Sequence, residues 1–213
     1  VEEGVIIGES TIEVPCKSNT YLIREGLTAQ DFELECTYRI TGGNSGVQFR
    51  TQRNGESVRG YQADLEDGPN WTGCLYEQDG RGVMVRRGER ARFAPGNEKE
   101  VTGSTGESEA LLALAPAGEW NRYRITARGG HIELHINDTL MCTLDDEDPA
   151  RNREGFFAMQ LHAGPPMRVE YRDLRIKMLE AEPEESPNDS GPRWIWRAGK
   201  KDDRGWFRKS FSI

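Results

Sequence analysis

The sequence predicts an all-β protein of the sandwich or barrel type, because short runs of alternating apolar and polar residues recur with turn punctuation along most of its 213 residues. No helical period of comparable strength competes, apart from a short stretch from Glu107 to Leu114. The 24 glycines and 35% hydrophobic content suit many tight turns around a core of ordinary size.

Taken in order, Val5-Ile6-Ile7-Gly8 reads as a first strand. Phe32, Leu34, Cys36, Tyr38 and Ile40 then alternate with Glu33, Glu35, Thr37 and Arg39, and the run stops at Gly42-Gly43. Successive side chains of a strand point to opposite faces, so Val47 and Phe49 share one side while Gln48 and Arg50 share the other. In the next strand Tyr61, Ala63 and Leu65 oppose Gln62, Asp64 and Glu66. The basic run Arg86, Arg87, Arg90 and Arg92 reads as a charge-laced edge strand. From about 95 to 115 the chain turns to Gly, Glu, Ser and Thr, which predicts a long loop over the sheet with one helical turn.

A second strong series begins at Trp120, with Tyr123, Ile125 and Ala127 before Gly129-Gly130. Ile132, Leu134 and Ile136 follow, alternating with His131, Glu133 and His135, and Asn137-Asp138 is a hairpin signal leading into Leu140-Met141-Cys142. Phe157, Met159 and Leu161 oppose Ala158, Gln160 and His162, and Val169, Tyr171, Leu174 and Ile176 close the pattern. The domain so read covers residues 1–178. Residues 179–193, containing EAEPEESPNDSGP, are too acidic and proline-bearing to build a core and read as a linker. Trp194, Trp196, Trp206 and Phe207 mark 194–213 as the opening of a further β-domain or a docking tail.

Charge narrows the partners. With 28 basic and 36 acidic residues the net charge is −8, which argues against nucleic acid. No run of about 18 apolar residues is present to span a membrane. Cys16, Cys36, Cys74 and Cys142 are widely spaced, so free thiols are expected rather than disulfides or a zinc site. There is no GxSxG elbow, no phosphate loop and no HExxH.

The segments NSGVQFR, GYQADLED, TGCLY, PAGEWNRYRITARGGHIELHIND, MQLH and VEYRDLRIK occur in an order that resembles the 3-keto-disaccharide hydrolase family, from about Gly4 to Met178. The resemblance implies a concanavalin A-like jelly-roll sandwich of two antiparallel sheets, with the ligand on a concave face. Trp120-Asn121 and Asn137 match the family's WN and lNG patterns, although Asp138 replaces the glycine of the second. The family's Glu, Gln, Asp series falls on Gln62, Asp64 and Asp67, which keeps one acid on the strand but moves it two residues along. A secreted or periplasmic location is expected, although the chain opens at Val1 without a leader segment.

The implied activity is cleavage of the glycosidic bond of a sugar already oxidised at carbon 3. The ketone acidifies the proton on carbon 2, so one base suffices where ordinary glycosidases need two carboxyl groups. His162 or Asp64 is the candidate base or metal ligand, and Arg50 the candidate enolate or hydroxyl stabiliser. Gln48, Gln62, Tyr76, Glu77 and Gln160 are candidate substrate-positioning groups. Asp64, Glu77 and His162 would admit a divalent metal, though no ligand motif demands one. The ketone would come from a separate sugar 3-dehydrogenase, so no nicotinamide site is expected. The competing reading is a non-catalytic carbohydrate-binding module of a larger secreted protein.

Overall fold

The computed structural model describes residues 4–180, so the 194–213 segment and nearly all of the expected linker lie outside the described residues. The strands in chain order are β1 (Ile6–Ser10), β2 (Thr20–Ala29), β3 (Phe32–Thr41), β4 (Asn44–Asn54), β5 (Ser57–Glu66), β6 (Leu75–Gln78) and β7 (Gly82–Val85). They continue with β8 (Glu89–Ala94), β9 (Glu98–Ser104), a short helix α1 (Ser108–Leu112), β10 (Asn121–Arg128), β11 (His131–Ile136), β12 (Thr139–Asp146), β13 (Gly155–Leu161) and β14 (Met167–Met178). Two sheets result, a jelly-roll sandwich. One has the order β1-β14-β3-β10-β11-β12-β8-β9 and the other β2-β13-β4-β5-β6-β7.

The alternation read from the sequence becomes the division between core and exterior. Phe32, Leu34, Cys36, Tyr38 and Ile40 of β3 are buried against Val47 and Phe49 of β4 and Tyr61, Ala63 and Leu65 of β5. Phe32 bridges the sheets, with its ring 4.8 Å from that of Phe157 and 5.6 Å from that of Phe49, both edge-on. Asn137 and Asp138 have φ of 50° and 65°, the left-handed pair that a two-residue hairpin requires. All four cysteines are free.

Three features differ from the sequence expectation. The sheets are not wholly antiparallel, because β8 runs parallel to β12. It enters from β7 of the other sheet, and its hairpin partner β9 takes the outer side. The basic run is therefore not an edge, and Arg87 is buried, donating to the carbonyls of Pro69, Thr72 and Ser108. The expected long loop is also partly strand: β9 is solvated on both faces, so it carries no apolar alternation to read.

The third departure is a bulge in β4. Phe49 pairs with Tyr61 and Gln52 with Arg59, so Arg50 and Thr51 together oppose Gly60 alone. Arg50 takes a φ of 47°, which breaks the alternation at that point. Gly155 of β13 admits the bulged backbone, since a Cβ there would lie 2.3 Å from Thr51 N and O. The Arg50 side chain is thereby buried, donating to Gln30 O (2.7 Å), Gly129 O (2.8 Å) and Asp31 Oδ1 (3.1 Å). Asp31 also accepts from Gly129 N. Removing one member of such a pair strands the other without water. Arg50→Ala is expected to lower stability by about 3–5 kcal/mol, read as a shifted urea midpoint at unchanged slope.

Candidate functional site

The outer face of the six-stranded sheet carries the polar residues that alternate with its core. Cross-strand pairing sets them in rows, because residues directly opposite one another share a face. Gln160 of β13, Gly46 of β4 and Asp64 of β5 form one row, and Gln48, Gln62 and Tyr76 of β4, β5 and β6 the next. From β13 to β6 is three strand spacings, or about 14 Å. Over this face lies a cleft of about 620 Å³, floored by Gln62, Asp64 and Gln160 and bounded by Trp71, Tyr76, His162, Pro165 and Met167.

A chain of side-chain hydrogen bonds orders the floor. Thr51 Oγ1 donates to Gln48 Oε1 (3.3 Å), Gln48 Nε2 donates to Gln62 Oε1, and Gln62 Nε2 donates to Asp64 Oδ1 (2.5 Å). Gly46 makes this geometry available. A Cβ on it would lie 2.4 Å from Gln62 Cγ, so the Gln62 side chain crosses the space that a larger residue would fill. Burial pushes the Asp64 carboxyl up to about 8; the Gln62 bond works against that rise and the Glu66 charge adds to it. Such a carboxyl holds or releases its proton near neutral pH. His162 is half-buried, and its Nδ1–H donates to Ala163 O (2.6 Å), which leaves Nε2 as the acceptor of the neutral ring.

Asp64, Gln62, Gln160, His162 and Tyr76 thus line one cleft, while other sequence candidates are placed differently. Gln48 is fully covered and supports Gln62 from behind. Arg50 does not reach the cleft, because the bulge redirects it to Gln30, Asp31 and Gly129. Glu77 pairs with Tyr61, so it faces inward beside Tyr76, not with it. Its carboxylate binds Arg81 (2.6 Å) and Asn152 (2.6 Å), within a buried cluster completed by Asp146 and the Tyr61 hydroxyl. The metal set Asp64, Glu77 and His162 is consequently not assembled, and no other trio of His, Cys, Asp or Glu is grouped to hold an ion among the described residues. Asn121 and Asn137 are structural: Asn137 Nδ2 donates to Asn121 Oδ1 and Leu114 O, and Asn121 Nδ2 to Pro116 O and Glu119 O. The guanidinium groups of Arg39 and Arg172 lie over the Trp120 ring, at 4.6 and 4.1 Å from its centroid.

Sequence alternation missed the wall supplied by residues 66–74. Glu66 Oε2 accepts from Asn70 N (2.8 Å) and Trp71 N (3.0 Å), while Thr72 Oγ1 bonds both Glu66 N and Glu66 O. Arg87 holds the same loop by its Pro69 and Thr72 carbonyls, and the Trp71 ring meets Tyr76 edge-on at 6.5 Å. The local signal was Thr72-Gly73, a turn that returns the chain to β6.

The raised Asp64 pKa has a stability consequence with a definite sign. Between the unfolded value of about 4 and the folded value of about 8, the folded protein binds the extra proton, so stability falls as pH rises through that window. Asp64→Asn is expected to remove this component of the decline, seen as a shallower fall in urea midpoint from pH 5 to pH 8. An unchanged profile would count against a protonated Asp64.

Comparison with solved structures supports the architecture. A Parabacteroides distasonis protein described as a glycosyl hydrolase shares 19% identity at a TM-score of 0.55, over 84% of this chain and 83% of that one. A Bacillus subtilis protein with a galectin-like fold gives 9% identity and a TM-score of 0.52, over 84% and 90%. The carbohydrate-binding module CBM66 from Bacillus subtilis gives 14% and 0.50, over 82% and 95%. No curated protein matches the sequence. Residues 1–177 match the sequence model of the 3-keto-alpha-glucoside-1,2-lyase-like domain, and the chain belongs to that family.

Proposed function

We propose that this domain cleaves the glycosidic bond of 3-keto-glycosides by elimination across carbons 1 and 2. The observation that carries the reading is Asp64, a buried carboxyl on the floor of a polar cleft with its pKa raised to about 8. Family membership supports the choice of sugar class, and the cleft residues support the choice of chemistry.

In this mechanism Asp64 takes the proton from carbon 2, with Gln62 fixing one carboxylate oxygen so that the other faces the substrate. The electron pair moves onto the ketone oxygen as an enolate, then returns to form the carbon 1–carbon 2 double bond as the carbon 1–oxygen bond breaks. The proton that Asp64 has taken then passes to the departing oxygen, while His162 Nε2 accepts a hydrogen bond from a sugar hydroxyl. Water adding across the double bond would complete net hydrolysis. Arg50 has no part in this, so enolate stabilisation falls to cleft donors such as the Tyr76 hydroxyl and the Gln160 amide. The sugar would arrive already oxidised, from a separate dehydrogenase.

Incubation with 3-keto-glucosides and their unoxidised parents, followed by product analysis, is expected to show cleavage of the keto forms alone. Asp64→Asn should lower kcat by about 10²- to 10⁴-fold. Gly46→Ala, which displaces Gln62 without touching the reacting carbon, should lower kcat in a protein with wild-type circular dichroism. Binding without cleavage of either form would make the domain a carbohydrate-binding module.

A further inference from the structure

The side chains lining the cleft include Asp64, Glu66 and Asp67 but, among the described residues, no Lys or Arg. Two of these acids are tethered by backbone N–H groups. Glu66 is tied to the N–H groups of Asn70 and Trp71, and Asp67 Oδ2 accepts from Gly42 N at 2.7 Å. A separate observation concerns Gln160, which is 2% exposed and whose Oε1 has no hydrogen-bond partner. A buried acceptor without a partner, on a side chain that lines the cleft, calls for a donor that the ligand can bring. Both features ask for the same complement, a ligand rich in O–H or N–H groups and without negative charge.

We propose that the cleft selects sugars by charge, taking uncharged or ammonium-bearing glycosides and excluding those that carry a carboxylate, sulfate or phosphate. The inference rests on the reading of the cleft as a sugar site, but not on the cleavage chemistry. An anionic substituent would meet the charges of Glu66 and Asp67 with no Lys or Arg in the lining to offset them. The field is already felt inside the protein, where the Glu66 charge helps raise the Asp64 pKa. An ammonium group gains from that field, and Gln160 Oε1 accepts from a hydroxyl or an ammonium alike.

The test is calorimetric titration of the folded protein with methyl β-glucoside, methyl β-glucosaminide and methyl β-glucuronide at millimolar concentrations and low salt. The glucuronide is expected to bind at least about tenfold more weakly than the glucoside, with the glucosaminide at least as tight as the glucoside, and the gaps should shrink as salt screens the charges. Asp67→Asn keeps an acceptor for Gly42 N and should narrow the glucuronide gap. Equal or tighter glucuronide binding overturns the proposal, and so does failure of all three to bind. If the charge order holds while 3-keto-glucosides are not cleaved, only the catalytic reading fails. If they are cleaved and the order is absent, only the charge selection fails.

Discussion

The register between β4 and β5 is the constraint on which both core and cleft depend. Val47 opposite Ala63 and Phe49 opposite Tyr61 set the inner face, and the same pairing sets Gly46 opposite Asp64 and Gln48 opposite Gln62 on the outer one. A slip by one residue would send every side chain to the other face. Asp64 and Gln62 would then enter the core, and Tyr61 and Leu65 would line the cleft. The burial of two aromatic rings thus enforces the placement of the polar relay, since the inner residues tolerate no alternative environment. The site is in this sense a consequence of core packing.

Beyond the bulge the same two strands serve a different purpose. The left-handed conformation at Arg50 ends the polar row after Gln48 and turns the guanidinium toward the Gln30 and Gly129 segments. Burial lowers the Arg50 pKa, while Asp31 favours its charged form. The carbonyl partners and Asp31 together offset a desolvation cost that the ion pair alone would not cover. A residue type associated with substrate binding is therefore spent on joining loops. Glu77 shows the same logic at the other end of the sheet, where Arg81 and Asn152 occupy its carboxylate.

What was legible in the sequence follows from these facts. Period-two alternation identified β3, β4, β5, β10, β11, β13 and β14, because each turns one apolar face to the core. It could not mark β9, which has none, or foresee that β8 pairs in parallel, because strand direction depends on the chain's crossing between sheets. In the cleft it singled out Gln62, Asp64, Gln160 and His162, whose strands run regularly up to those positions. Arg50 and Glu77 were misplaced for separate reasons: a bulge breaks the period at one, and the other is adjacent to Tyr76 and so lies on the opposite face. Trp71 lies outside the strands, where no period applies, and its position depends on carbonyls held by an arginine 16 residues further along the chain.

The distribution of buried charge separates structural acids from chemically available ones. Asp31, Glu77 and Asp146 each pair with a guanidinium inside the protein, which occupies their carboxylates. Asp64 is just as buried but takes its side-chain hydrogen bond from the neutral Gln62 amide, and the nearby Glu66 charge opposes its ionisation. Desolvation without a cationic partner is what moves a carboxyl pKa toward neutrality. Placing a guanidinium beside Asp64 would stabilise its charge and weaken it as a base, so a cleft lining without Lys or Arg suits both the proposed proton transfer and the proposed ligand selection. The bulge that turns Arg50 away from the polar row is consistent with the same requirement, for it keeps a strong cation off the face that carries Asp64.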